Sequence, residues 1–521
     1  MIDTDDGFAP LLARRAQANP SGMFARYLGA PVSFGDLDRM TSTLALWMRR
    51  IGLAPGDTVA LMLRNSPLAL ALLFAIARAR AIWVPINVQS RGENLGYILD
   101  HSTPKLIIAE AELTATIEAS GANLTGMQVF TTELVQTLAA GGHGQVPSWH
   151  EATPAADETF AVMYTSGTTG RPKGVLVSHR MLRLSGEAVA LVTATRAGDV
   201  MFMWEPLYHI GGAQMIVLPL IRDVTLALVE HFSARRFWEQ ASAHGASHIH
   251  FLGGILQILL KQPPSARDRT HGVRIAWGGG CPREIWIPFE QRFGVQIREC
   301  YGMTECSSIT TYNDTGVVGS VGHPAPWFDV ELIAPSGQPV PTGERGEIVV
   351  RSTLPGAITR GYLSNLEATA RALHGEAFHT GDLGSFDAAG NMYFHGRMTD
   401  NVRVRGENVS ALEVEQVVSR HPAVEDCAMI GVVAEIGEQD IKLFVKRRVG
   451  ATLGPQELSD WLAARLAPYQ NPRYIVMVNE FERTASQRVM KHKLAALTAV
   501  TWDRMAVPSQ RRGPRIRNLP H

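Results

Sequence analysis

Short continuous apolar runs alternate with stretches of helical apolar spacing from the start of the chain to about residue 300. DTVALMLRN (57–65) predicts a strand, and LALALLFAIA (68–77) directly after it predicts a buried helix. PKLIIAE (104–110), FAVMY (160–164) and VRIAW (273–277) predict further strands, the last two running into glycine-rich turns. Strands alternating with helices in this way imply parallel sheets covered by helices. Between about 317 and 396 the pattern changes to short alternating strands separated by Gly, Pro and Asp turns, which predicts a β-rich subdomain. After Arg397 a new unit opens with a strand at VRV (402–404). Ser410 and Glu413 then stand at capping-box spacing before a helix through Val418, and CAMIGVV (427–433) predicts another strand. The Arg- and Pro-rich tail from Trp502 is expected to be poorly ordered.

Composition narrows the class. A chain of 521 residues is too long for one ordinary core. With 45% hydrophobic and 19% charged residues, it is globular rather than disordered. Its 49 basic residues balance 49 acidic ones, so no global field recruits nucleic acid or an anionic membrane. The apolar run at 68–77 is followed by Arg78 and Arg80 and falls short of the roughly 20 residues of a spanning helix. Four cysteines without a CxxC pair, and an acidic N-terminus without a signal peptide, lead to the expectation of a reducing, cytoplasmic setting.

The densest chemistry lies in YTSGTTGRPKGV (164–175). Gly167, Gly170 and Gly174 allow turns closed to other residues, and consecutive amides there can form an anion-binding nest. Thr165, Ser166, Thr168 and Thr169 add hydroxyl donors, and Lys173 adds a positive charge. The run is not a Walker loop, which disfavours a conventional NTPase. It resembles the nucleotide loop of the acyl-adenylate-forming superfamily, and further motifs follow in that family's order: PLYHIGG (206–212), GGGCP (278–282), YGMTE (301–305), TGDLG (380–384) and HGRMTD (395–400).

The resemblance implies an α/β fold: a large N-terminal domain, 1–398, of two doubly wound sheets plus the β-rich part, and a small mobile α+β domain, 399–521. It also implies a role for each matching position. His209 would lie near the substrate carboxylate. Gly279, Gly280 and Cys281 would line the adenine, with Tyr301, Gly302 and Met303 against it and Phe394 close by. Thr304 would bond the phosphate, Glu305 would hold Mg2+, Asp382 would accept the ribose hydroxyls, and Arg397 would contact the ribose at the start of a hinge. The implied reaction converts a carboxylate and ATP to an acyl-adenylate, then to a thioester with coenzyme A.

WEPLYHIGG lacks the aspartate that amino-acid-loading adenylation domains place there, and VRGENVSALEVE (404–415) is similar to the CoA-ligase form. Arg403, Gly406 and Glu407 would face coenzyme A, and the whole is most similar to the carnitine and crotonobetaine CoA-ligase-like branch. Gly253, Gly254 and Gly278 remove side chains beside the expected acyl pocket, which permits a bulky acid.

Two positions depart from the family. FERTASQRVMKHKL (481–494) places Arg488 where the family has its adenylation lysine; Lys491, one turn on, is the other candidate cation. Thr399 stands where the hinge usually carries Asp or Lys, with Asp400 beside it. Both load on adenylation or on the domain swing. Two expectations stay open: a complete ligase that adenylates with Arg488 or Lys491, and thioester formation with weak or absent adenylation, a separate enzyme supplying the intermediate. Loading a carrier-protein phosphopantetheine, or binding without turnover, are the alternatives.

Overall fold

The computed structural model describes residues 7–140, 153–165, 171–404, 407–434, 439–483, 489–497 and 500–506. The described residues fall into two compact units that divide between Phe394 and His395, a few residues before the expected boundary at 398.

Two large sheets build the first unit. One has nine strands and runs from His323–Pro324 through Gln296–Tyr301, Ile275–Gly279, His248–Leu252, Asp199–Met203 and Val224–Leu228 to Ala30–Ser33 at the far edge. Its middle strands pair in parallel. The other has six strands, in the order Gln128–Thr131, Leu106–Ala109, Thr58–Met62, Ile82–Pro85, Thr159–Thr165 and Lys173–Ser178. Its last pair is an antiparallel hairpin on a parallel sheet.

The continuous apolar runs have a direct cause. In Thr58–Met62, Val59 and Leu61 enter one core while Ala60 and Met62 enter another, so both faces of the strand are covered. The run at 68–77 is the middle of helix Pro67–Arg78, every residue from Leu68 to Ala77 being buried. Ser66 caps that helix by accepting from the Ala69 amide, and Pro67 opens it with its φ already helical.

The β-rich part is a five-stranded sheet that includes Phe328–Ile333, Gly346–Ser352 and Ala377–Phe386, paired antiparallel. The second unit carries the sheet Val424–Val433, Gln439–Arg447, Tyr474–Val478 and Thr501–Asp503, together with the hairpin Asn401–Val404 and Glu407–Ser410.

One sequence expectation fails here. Ser410 does precede helix Ala411–Ser419, but no side-chain cap forms; its hydroxyl donates to the His395 carbonyl at 3.1 Å. Of the tail, residues 502–506 are described, and the Arg- and Pro-rich stretch from 507 onward lies outside the described residues. Trp502 lies in strand Thr501–Asp503, which pairs antiparallel with Tyr474–Val476. Among the described residues no helix is long and apolar enough to cross a membrane.

Candidate active site

The GGGCP and YGMTE motifs and the turn at Gly253 leave the C-terminal ends of parallel strands, the edge at which open α/β sheets bind ligands, while TGDLG lies within the antiparallel strand Ala377–Phe386. Strand Ile275–Gly279 passes into Gly280 and Cys281, Gln296–Tyr301 into Gly302–Glu305, and His248–Leu252 into Gly253. Backbone approach explains two of these glycines. Gly278 has φ +150°, and a Cβ there would stand 1.8 Å from the Phe251 carbonyl oxygen; at Gly302 it would stand 2.0 Å from that of Ser308. Gly278 thus serves strand packing, whereas Gly254 has no crowding neighbour. The Gly253 amide donates to the Gly279 carbonyl at 3.0 Å, tying the two loops together.

Tyr301 and Asp382, eighty-one positions apart, meet. The Tyr301 hydroxyl donates to Asp382 Oδ2 at 2.8 Å, both side chains being buried. Phe394 lies beside the Tyr301 ring, centroids 5.4 Å apart. Asp382 is set by its own turn, its amide donating to the Thr380 hydroxyl at 3.0 Å. Burial, followed by the Asp382 charge, holds the Tyr301 phenol well above its ordinary range, so it stays a neutral donor.

Thr304 and Glu305 form a single buried turn, Thr304–Cys306. The Thr359 amide donates to the Glu305 carbonyl at 2.8 Å, and the Tyr362 hydroxyl donates to Glu305 Oε1 at 3.0 Å. His209 caps the short helix Ile210–Ala213, its Nδ1 accepting from the Gly211 amide at 3.1 Å. Thr165 ends one strand of the phosphate-loop hairpin and pairs with Lys173 on the other. Ser166, Gly167, Thr168, Thr169 and Gly170 between them lie outside the described residues. The Lys173 ammonium sits 5.1 Å from the centre of the Tyr362 ring.

Sequence reasoning missed two residues. Glu299 is buried in the strand before YGMTE and accepts from the Gly280 and Cys281 amides, both at 2.9 Å, so it anchors the GGGCP turn. Burial pushes its carboxyl up to about 8, with the two amides acting against that rise. An acid inside the buried run QIRECY was the available signal, since such a charge needs partners. Tyr362 stood in a turn-rich stretch with no distinguishing pattern. Burial raises the thiols of Cys281, Cys300 and Cys306, which makes them inert.

The sign of the Glu299 shift gives a prediction. A carboxyl whose folded pKa is raised contributes stability that is complete below its unfolded value and lost as pH climbs through about 8. Glu299→Gln keeps an acceptor for both amides without that ionisation. The variant is therefore expected to gain melting temperature relative to wild type between pH 6 and pH 9, measured by calorimetry.

In the second unit, Lys491 opens helix Lys491–Ala495 and is already engaged. Its ammonium lies 2.9 Å from Glu415 and 3.4 Å from Asp400. Glu415 Oε1 also accepts from the Met429 amide at 2.6 Å. Burial would lower Lys491, but the two carboxylates outweigh it and hold the lysine above its ordinary value. Arg397 ends strand Met392–Arg397, Asp400 ends the turn Met398–Asp400, and Arg403 lies in strand Asn401–Val404. The backbones of Thr399 and Glu407 lie in that turn and in the paired strand. Gly406 and Arg488 lie outside the described residues.

A fold of parallel sheets with a glycine-rich hairpin and this cluster at their strand ends is that of an adenylate-forming enzyme. The family model described as "AMP-binding enzyme" matches residues 12–363, and "AMP-binding enzyme C-terminal domain" matches 413–488. The chain belongs to the AMP-binding enzyme family. A crotonobetaine/carnitine–CoA ligase of Escherichia coli O139:H28 is 30% identical over 485 residues, covering 89% of this chain and 92% of the relative. MatB from Rhodopseudomonas palustris, solved with ATP, superposes with TM-score 0.84 at 26% identity, over 93% of this chain and 98% of that one. An anthranilate CoA ligase, AuaEII, solved with anthranoyl-AMP, superposes with TM-score 0.87 at 22% identity, over 95% and 98% of the two chains, a likeness of fold.

Proposed function

We propose that this enzyme joins a carboxylic acid to coenzyme A through an acyl-adenylate, acting in the cytoplasm, and that its adenylation step is slow. The observation carrying the ligase reading is the Tyr301–Asp382 hydrogen bond, which brings the adenine motif and the ribose-binding carboxylate of the family pattern to one place.

The roles follow from chemistry. Asp382 accepts from the ribose hydroxyls, Tyr301 and Phe394 present ring faces to the adenine, and the amides and hydroxyls of 165–170 with Lys173 take the phosphates. Arg397 adds a ribose contact, and Thr304 bonds the α-phosphate. Glu305 offers a hard oxygen donor, held by Thr359 and Tyr362, of the type a magnesium ion takes when nucleotide phosphates complete its shell. A magnesium ion held by Glu305 would neutralise charge gathering on the phosphates. His209 orients the carboxylate, and Arg403, Gly406 and Glu407 guide the thiol of coenzyme A.

Slow adenylation rests on two points. The motif register of the sequence puts Arg488 where the family's adenylation lysine is expected, and the ammonium of Lys491 is held by Glu415 and Asp400. A separate enzyme would then supply the acyl-adenylate. Half-reactions test the whole. CoA ester should form from a preformed acyl-adenylate much faster than pyrophosphate is released from ATP and acid. Fast acid-dependent pyrophosphate release would overturn slow adenylation, and failure of both half-reactions would overturn the ligase reading.

A further inference from the structure

The segment 357–363 straps two parts of the nucleotide site together. On one side Leu363 donates to the Gly174 carbonyl at 2.8 Å and Leu176 donates to the Gly361 carbonyl at 3.1 Å, which fixes the segment to the strand that begins at Lys173. On the other side the Thr359 amide holds the Glu305 carbonyl at 2.8 Å and the Ser307 hydroxyl donates to the Ala357 carbonyl at 2.6 Å, which fixes it to the metal turn. Tyr362 stands between these anchors and is itself buried. Its hydroxyl donates to Glu305 Oε1 at 3.0 Å while its ring carries the Lys173 ammonium 5.1 Å from the centroid. One neutral side chain thus contacts the cation of the phosphate loop and the carboxylate assigned to magnesium.

We propose that Tyr362 is a positioning residue for the metal–nucleotide complex: its hydroxyl aims Glu305 at the cation, and its ring keeps Lys173 over the phosphates instead of collapsed onto Glu305. A direct Lys173–Glu305 pair would cancel both charges, since opposite charges at about 4 Å attract strongly away from bulk water. The ring attracts the ammonium without neutralising it, and the hydroxyl acts as an outer-shell partner, the kind whose loss typically costs about tenfold or more in metal affinity.

This rests on the proposed role of Glu305, so the test separates the two ideas. Binding of ATP without any acid is titrated calorimetrically with magnesium and with chelator, for wild type, Tyr362→Phe, Tyr362→Leu and Glu305→Gln. Tyr362→Phe keeps the ring and should melt like wild type. It should weaken ATP binding roughly tenfold in magnesium and leave metal-free binding unchanged. Tyr362→Leu should weaken binding in both conditions, because Lys173 loses its ring as well. Equal weakening of Tyr362→Phe with and without metal, or no weakening in magnesium, overturns the proposal. Glu305→Gln should lose the magnesium enhancement. If it keeps that enhancement, the assignment of Glu305 falls and the tyrosine proposal with it; if it loses it while Tyr362→Phe does not, the tyrosine proposal alone falls.

Discussion

Replacing Arg488 with lysine is expected to raise acid-dependent pyrophosphate release about a hundredfold to a thousandfold, leaving CoA-ester formation from preformed acyl-adenylate unchanged. The arginine keeps the charge at this position, but the proposed slow step assumes that adenylation is served by a compact ammonium able to touch the attacking carboxylate and the α-phosphate together, as the family's lysine would be. A guanidinium is wider, and its donors are fixed in a planar fork. One well-placed donor to developing charge is worth roughly 3 to 4 kcal/mol, which sets the size of the expected gain. Arg488→Ala supplies the opposite arm, removing whatever the guanidinium contributes and lowering the residual rate further. Lys491 offers no substitute while its ammonium is shared by Glu415 and Asp400. If pyrophosphate release in Arg488→Lys equals or falls below wild type, the proposal that Arg488 slows adenylation is overturned.

Much of the architecture was legible because it comes from periodicity and composition, properties of neighbouring positions. Strands covered on both faces, such as Thr58–Met62, read as unbroken apolar runs, and turn residues mark the β-rich part. Motif order located Tyr301 and Asp382, and the fold supplied their hydrogen bond. What stayed hidden depends on partners distant in sequence. Nothing beside Tyr362 announces that it will reach Glu305, fifty-seven positions away. Ser410 shows the converse: its spacing to Glu413 matched a cap, yet its side chain accepts from no helix amide and its hydroxyl instead donates to the His395 carbonyl. The glycines illustrate a third limit, since a missing side chain reads alike whether it opens a pocket or, as at Gly278, lets two strands touch.

Lys491→Met is expected to destabilise the second unit by about 3 kcal/mol at neutral pH, seen as a lower melting transition of the full chain. The loss arises because Glu415 remains, about a fifth exposed, holding a charge whose cation has gone. That residual exposure puts the estimate at the low end for broken buried pairs. The pH dependence distinguishes this cause from lost packing. Burial already raises Glu415 above its ordinary carboxyl value, and Lys491 opposes that rise. Removing the lysine raises the carboxyl further, so the folded variant takes up a proton more readily. A carboxyl with a raised folded pKa is penalised only above its unfolded value, and the penalty grows until pH passes the folded one. The deficit should therefore shrink at pH 5 relative to pH 8, and Lys491→Met combined with Glu415→Gln should recover part of it. A deficit independent of pH, or one deepened by the second substitution, would mean that Lys491 acts through packing of its stem and that the Glu415 pair contributes little.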